Sequence, residues 1–144
     1  MTRQEIMAAL PYKPPFLFVD EITSISDNGV TGNYTFRPNE FFYEGHFVGK
    51  PVTPGVILTE VMAQIGLVSL GIFLSDKSDK PLKGNNIAFT SNAVEFYLPV
   101  FPGEKVTVVS EKEYFRFNKL KCKVSLYNAS EALVCRGLLA GMVL

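Results

Sequence analysis

The chain has no tryptophan, a single histidine and only two cysteines in 144 residues. So few cysteines exclude a disulfide scaffold. Cys122 and Cys135 lie in strand-like segments without the spacing of metal ligands, so buried, reduced thiols are expected and no metal site. An excess of either charge is also missing, because fourteen basic and fourteen acidic residues cancel. That balance excludes the basic footprint of a nucleic-acid binder. The opening "MTRQEIMAALPYK" lacks the apolar stretch of a secretory signal, which points to the cytoplasm. Charged residues are scarce at 19%, and apolar ones reach 47%. That composition is globular rather than disordered. The length predicts one domain over residues 1–144, large enough for a real core. Twelve Phe and six Tyr predict that this core is rich in rings.

One run is long enough to be taken for a membrane span, "GVILTEVMAQIGLVSLGIFL" at 55–74. Glu60 and Gln64 sit inside it, one turn apart on one face. A carboxylate there is costly in lipid. The run therefore predicts a buried helix of a soluble protein and no membrane span.

Around it, "TRQEIMAAL" predicts a short amphipathic helix stopped by Pro11. "FLFVDEITSIS" and "VTGNYTF" predict two strands joined by a "DNG" hairpin turn. "RPNEFFYEGHFVGKPVTP" is punctuated by Gly and Pro and predicts a loop. Thr53 is the expected N-cap of the long helix and Pro54 its first residue, with the end near Ser75. The polar "SDKSDKPLKGNN" predicts a surface loop. Four strand-like segments follow: "IAFTSNAVEFYL", "KVTVVSEKEYF", "KLKCKVSLYN" and "ALVCRGLLAGMVL". Lys119, Lys121 and Lys123 alternate with Leu120, Cys122 and Val124, a basic face outward and an apolar face inward. The expected class is α+β, an antiparallel sheet curled around one long buried helix.

The chemistry concentrates in "YEGHFVGKPVTPGVILTEVMAQIG". His46, the sole imidazole, lies in a loop that Gly45 and Gly49 allow to be tight, and it can act as a general base. Glu60 has apolar neighbours in Val56, Ile57, Val61 and Met62. Burial of an unpaired carboxylate raises its pKa, which suits a general acid. Gln64, at i+4, can fix the Glu60 rotamer. At the helix start, "TPGV" leaves backbone N–H groups free at the positive end of the dipole, with Gly55 leaving room for a ligand. Losing one donor of such an oxyanion site costs roughly 2.7–4 kcal/mol of transition-state stabilisation. A base, an acid and an oxyanion site suit proton abstraction alpha to a carbonyl with departure of a beta hydroxyl. Hydrolysis fits less well, since no Ser or Cys nucleophile accompanies them. Glu60 lies about 9 Å along the helix axis from Pro54. Two copies facing each other, each lending one residue, would bring the His loop and a Glu together.

"LPYKPPFLFVDEI", "NEFFYEGHFVGKPVTPGVILTEVMAQ" and "VEFYLPVFPGE" resemble the motifs of the (3R)-hydroxyacyl-acyl-carrier-protein dehydratases of type II fatty acid synthesis, and the likeness covers nearly the whole chain. The resemblance implies the hotdog fold, with His46 as base, Glu60 as acid, Gly55 at the oxyanion site and Gln64 in support. Phe47 and Val56, which flank His46 and Gly55, join the expected substrate-binding set. It implies acyl carrier protein as partner, no cofactor, a trans-2-enoyl thioester plus water as products, and a homodimer with composite sites that in many members builds hexamers. Glutamate at 60, rather than the aspartate of the isomerising sister family, implies dehydration alone. Three departures stand out: Val48 replaces a proline, Tyr12 replaces a histidine, and Glu95, Tyr97 and Leu98 stand where basic residues are usual. Two alternatives on the same fold are a non-catalytic subunit supporting a partner dehydratase and an acyl-thioesterase.

Overall fold

A computed structural model of the chain describes residues 1–77 and 86–144. Thr2 caps helix α1 (Arg3–Ala9), its hydroxyl accepting from the Glu5 N–H while the Glu5 carboxylate accepts from the Thr2 N–H. This reciprocal box satisfies two donors that the first helical turn leaves free. Ile6 is the buried residue of α1.

Six antiparallel strands follow: β1 (Glu21–Ser26), β2 (Gly29–Thr35), β3 (Ile87–Phe96), β4 (Lys105–Arg116), β5 (Lys119–Tyr127) and β6 (Leu133–Val143). They form one sheet in the order β1-β2-β4-β5-β6-β3. The central helix, Gly55–Asp76, packs on its inner face. Alternation drives this layer: Val106 and Val108 of β4, and Leu120, Cys122, Val124 and Leu126 of β5, are buried inward. Against them lie Val61, Met62, Ile65, Leu67 and Leu70 of the helix. Each such side chain stabilises the fold by about 1.5–3 kcal/mol when buried. Lys119, Lys121 and Lys123 stand on the opposite face, as the period of two predicts.

The central helix is not uniform. It is α-helical over Gly55–Ala63, widens to a π turn over Gln64–Val68, and is α-helical again over Ser69–Asp76. The π turn faces Ser110, which takes the inward position after Val106 and Val108 and donates to the Gly66 carbonyl at 2.7 Å. Helix and sheet approach so closely here that a Cβ on Gly66 would meet Val124 Cγ1 at 3.0 Å and Ser110 Cβ at 3.1 Å.

Four sequence expectations need correction. The first strand begins at Glu21, not Phe16, because the Phe18 N–H is drawn to the Gln64 side chain instead of a neighbouring strand. Pro54, not Thr53, occupies the N-cap position, and the helix starts at Gly55. Val56, expected among the apolar cover of Glu60, is 78% exposed in one chain. β3 stops at Phe96, two residues early, since the Tyr97 and Leu98 N–H groups both turn to the Val134 carbonyl. The surface loop expected over 75–86 falls, for residues 78–85, outside the described residues.

Candidate active site

The loop that carries His46 is closed by a tight turn. The Phe47 N–H donates to the Lys50 carbonyl at 3.0 Å, and the Lys50 N–H returns to the Phe47 carbonyl at 2.9 Å. Gly49 sits at φ +73°, a conformation that turns of this kind reserve for glycine. Gly45 needs no such freedom, and the turn closes with Val48 at its tip. The His46–Phe47 peptide is cis.

Two bonds tie His46 to Val52. The Val52 N–H donates to the His46 carbonyl at 2.9 Å, and His46 Nδ1 lies 2.9 Å from the Val52 carbonyl. A carbonyl oxygen only accepts, so Nδ1 carries the proton and Nε2 presents a lone pair. The half-buried imidazole stacks on Phe47, with ring centroids 4.0 Å apart. Phe47 is itself 57% exposed.

Glu60 is half-buried on the central helix. Its carboxyl is raised above the ordinary glutamate value, chiefly because burial disfavours the charged form; the bond from Gln64 works weakly the other way. Gln64 is wholly buried, and its amide is fully committed. Oε1 accepts from the Phe18 N–H at 2.8 Å, which forces Nε2 toward the Glu60 Oε2 at 2.8 Å and the Phe16 carbonyl at 3.0 Å. The same side chain thus pins the segment before β1 and fixes the Glu60 rotamer. With Oε2 held by a donor, an acid proton on Glu60 resides on Oε1. Tyr12, in the opening motif, lies close enough to feel the Glu60 charge: burial first, then that charge, pushes its phenol up to about 12.

At the helix start, the Pro54 carbonyl accepts from both Ile57 and Leu58, leaving the Gly55 and Val56 N–H groups without a backbone partner among the described residues. The Phe96 ring covers Gly55 so tightly that a Cβ there would meet it at 3.2 Å. Gly55 therefore serves close packing.

Burial and Gln64 set the Glu60 carboxyl. An open groove of about 500 Å³ on the outer sheet face, lined by Glu95, Tyr97, Glu113, Lys123 and Arg136 among others, contains neither His46 nor Glu60. Of the residues named from the sequence, Gln64 and Glu60 are hydrogen-bonded to each other, His46 lies in its closed loop and Gly55 opens the helix. The sequence did not single out Ser110, read only as part of a strand, or the backbone of Phe16 and Phe18, whose contacts with Gln64 span 48 and 46 residues.

Residues 10–133 match the family model of the FabA-like domain. The chain is 38% identical over 105 residues to the 3-hydroxyacyl-[acyl-carrier-protein] dehydratase FabZ of Nitratidesulfovibrio vulgaris, covering 72% of this chain and 66% of that relative's length. It is 36% identical over 112 residues to the FabZ of Acinetobacter baumannii, covering 77% and 75%. For the FabZ of Herpetosiphon aurantiacus the identity is 36% over 130 residues, 88% of each chain. Among solved structures, the dehydratase heterocomplex ApeI:P from Xenorhabdus doucetiae superposes with a TM-score of 0.76 at 14% identity, covering 95% of this chain and 89% of that one. The PaaI protein of E. coli gives 0.63 at 13%, covering 98% and 89%. At such identities the likeness is one of fold, and that fold is the hotdog fold.

Proposed function

Because the chain belongs to the FabA-like family of hotdog dehydratases, we propose that it removes water from a (3R)-hydroxyacyl chain carried on acyl carrier protein, giving the trans-2-enoyl thioester. The thioester carbonyl accepts from the Gly55 and Val56 N–H groups. His46 Nε2 takes the alpha proton, and the electron pair of that C–H bond forms the new double bond. The carbon–oxygen bond at the beta position breaks, and Glu60 Oε1 gives its proton to the departing hydroxyl, which leaves as water. One observation carries the reading: a carboxyl whose pKa burial raises is rotamer-locked on one element, while an imidazole with its Nδ1 engaged waits on another.

His46 and Glu60 meet across a homodimer, each site drawing on both chains. β3 supports this. It is an edge strand of ten residues with one partner, β6, and most of its residues are exposed. Phe89 and Phe96 on it, with Tyr97 and Leu98 beyond, are all open in one chain. A long exposed edge of this kind, with Phe89 and Phe96 open on it, invites pairing. Val56 and Phe47 become acyl-chain contacts once the second copy is in place. The protein works in the cytoplasm as a single domain.

Hydrolysis through a cysteine nucleophile is disfavoured because burial pushes Cys122 up to about 11 and Cys135 up to about 12. Purified protein given 3-hydroxyacyl thioesters of graded length, on carrier protein and on coenzyme A, should lose 18 mass units per acyl chain, about one water, without releasing thiol. His46→Ala and Glu60→Gln should each lower kcat by about 10²- to 10⁴-fold while folding normally. Near-normal turnover in either variant would refute the assignment.

A further inference from the structure

The loop bearing His46 has a buried base that no expectation from the sequence assigned to it. Thr53, read as a helix cap, does not cap. Its hydroxyl shares a hydrogen bond of 2.7 Å with the Tyr43 hydroxyl. Both residues are almost fully buried, Tyr43 at 6% and Thr53 at 5% exposure. They bracket the loop, one at each end of residues 44–52. Tyr43 closes the 3₁₀ turn Phe41–Tyr43 and stacks on Phe42 at 4.7 Å. That turn is itself anchored, since the Glu40 carboxylate accepts from the Tyr34 hydroxyl and from the Arg37 N–H. On the other side, the Thr53 N–H donates to the carbonyl of Val100, a wholly buried residue, at 2.8 Å.

Val52, next to Thr53, accepts the proton of His46 Nδ1. The position of that carbonyl decides which imidazole nitrogen keeps its lone pair. We propose that Tyr43 and Thr53 are positioning residues for His46, a buried hydroxyl staple that fixes the Val52 carbonyl and thereby the catalytic tautomer. Burial also keeps the Tyr43 phenol above its ordinary value, so it stays protonated for the bond at working pH. The staple is costly to open halfway, because either hydroxyl left alone would be buried without a partner. The inference rests on His46 being the base.

The chain has one histidine, so ¹⁵N labelling of imidazole reads its tautomer directly. At a pH that keeps the ring neutral, the parent protein should show Nδ1 protonated and Nε2 bare. Tyr43→Phe and Thr53→Val should each produce a mixture of tautomers and lower kcat about ten-fold with KM little changed. Thr53→Ser keeps the hydroxyl and should restore both signals. If Tyr43→Phe fails to fold, the Val and Ser variants at 53 carry the test. Parent-like tautomer spectra in Tyr43→Phe and Thr53→Val would overturn the staple, as would a Ser variant as damaged as the Val one. The spectra need no substrate. A stapled tautomer in a protein without dehydratase activity would defeat the proposed function alone.

Discussion

Glu60 carries a penalty in the resting protein that the reaction needs. Its folded-state pKa lies above the ordinary glutamate value of 4.5, mainly through burial. Between 4.5 and the raised value, folding takes up a proton, so stability falls as pH rises through that window and stays lower above it. Glu60→Gln keeps an acceptor for Gln64 and removes the charge. In thermal melts, the Gln variant should therefore match the parent below pH 4.5 and exceed it at neutral pH. A parent that melts higher at pH 7 would mean that the carboxylate is stabilised by an unseen cation rather than strained by burial. This tension was legible in the chain: a carboxylate among apolar residues with no Lys or Arg between Pro51 and Asp76. What the chain could not convey was Tyr12 beside it, because that proximity joins the start of the chain to the central helix.

At the scale of elements, the central helix and the His loop were readable, and their internal devices were not. Alternation in β5 announced which face turns inward. It said nothing of the hydroxyl that β4 turns inward at Ser110. The explanation is the π turn, whose widened backbone offers the Gly66 carbonyl to the sheet. Such turns cluster at functional sites. This one begins at Gln64, whose amide holds both Glu60 and the segment before β1. No periodicity separates a π turn from the α-helix on either side, so the sequence read one continuous helix. Ser110→Ala leaves a buried carbonyl without its donor. Chemical denaturation should show a loss of about 1–3 kcal/mol, and the variant's kcat should drop further than Ser110→Thr, which keeps a hydroxyl. Equal stability in Ser110→Ala and the parent would show that the carbonyl finds another partner.

At the scale of the molecule, the fold was legible because six strands and one apolar run leave few ways to bury both faces. The proposed second copy entered from the sequence as a distance problem, the reach from the His loop to the Glu of the same helix, and from the family resemblance. Two features support the proposed dimer: an open β3 edge, and Phe47 and Val56 exposed in one chain. On the proposed reading each chain supplies half of a site. Mixing the two crippled variants measures this directly. His46→Ala and Glu60→Gln homodimers should each retain only the reduced activity predicted above. Unfolded together and refolded, they form mixed dimers in which one site has both intact residues and the other has neither. Two-chain sites predict recovery of about a quarter of parental activity at equal mixing. Activity that stays at the level of the separate variants, despite mixed dimers seen by native mass spectrometry, would place both residues in one chain's site and contradict the account.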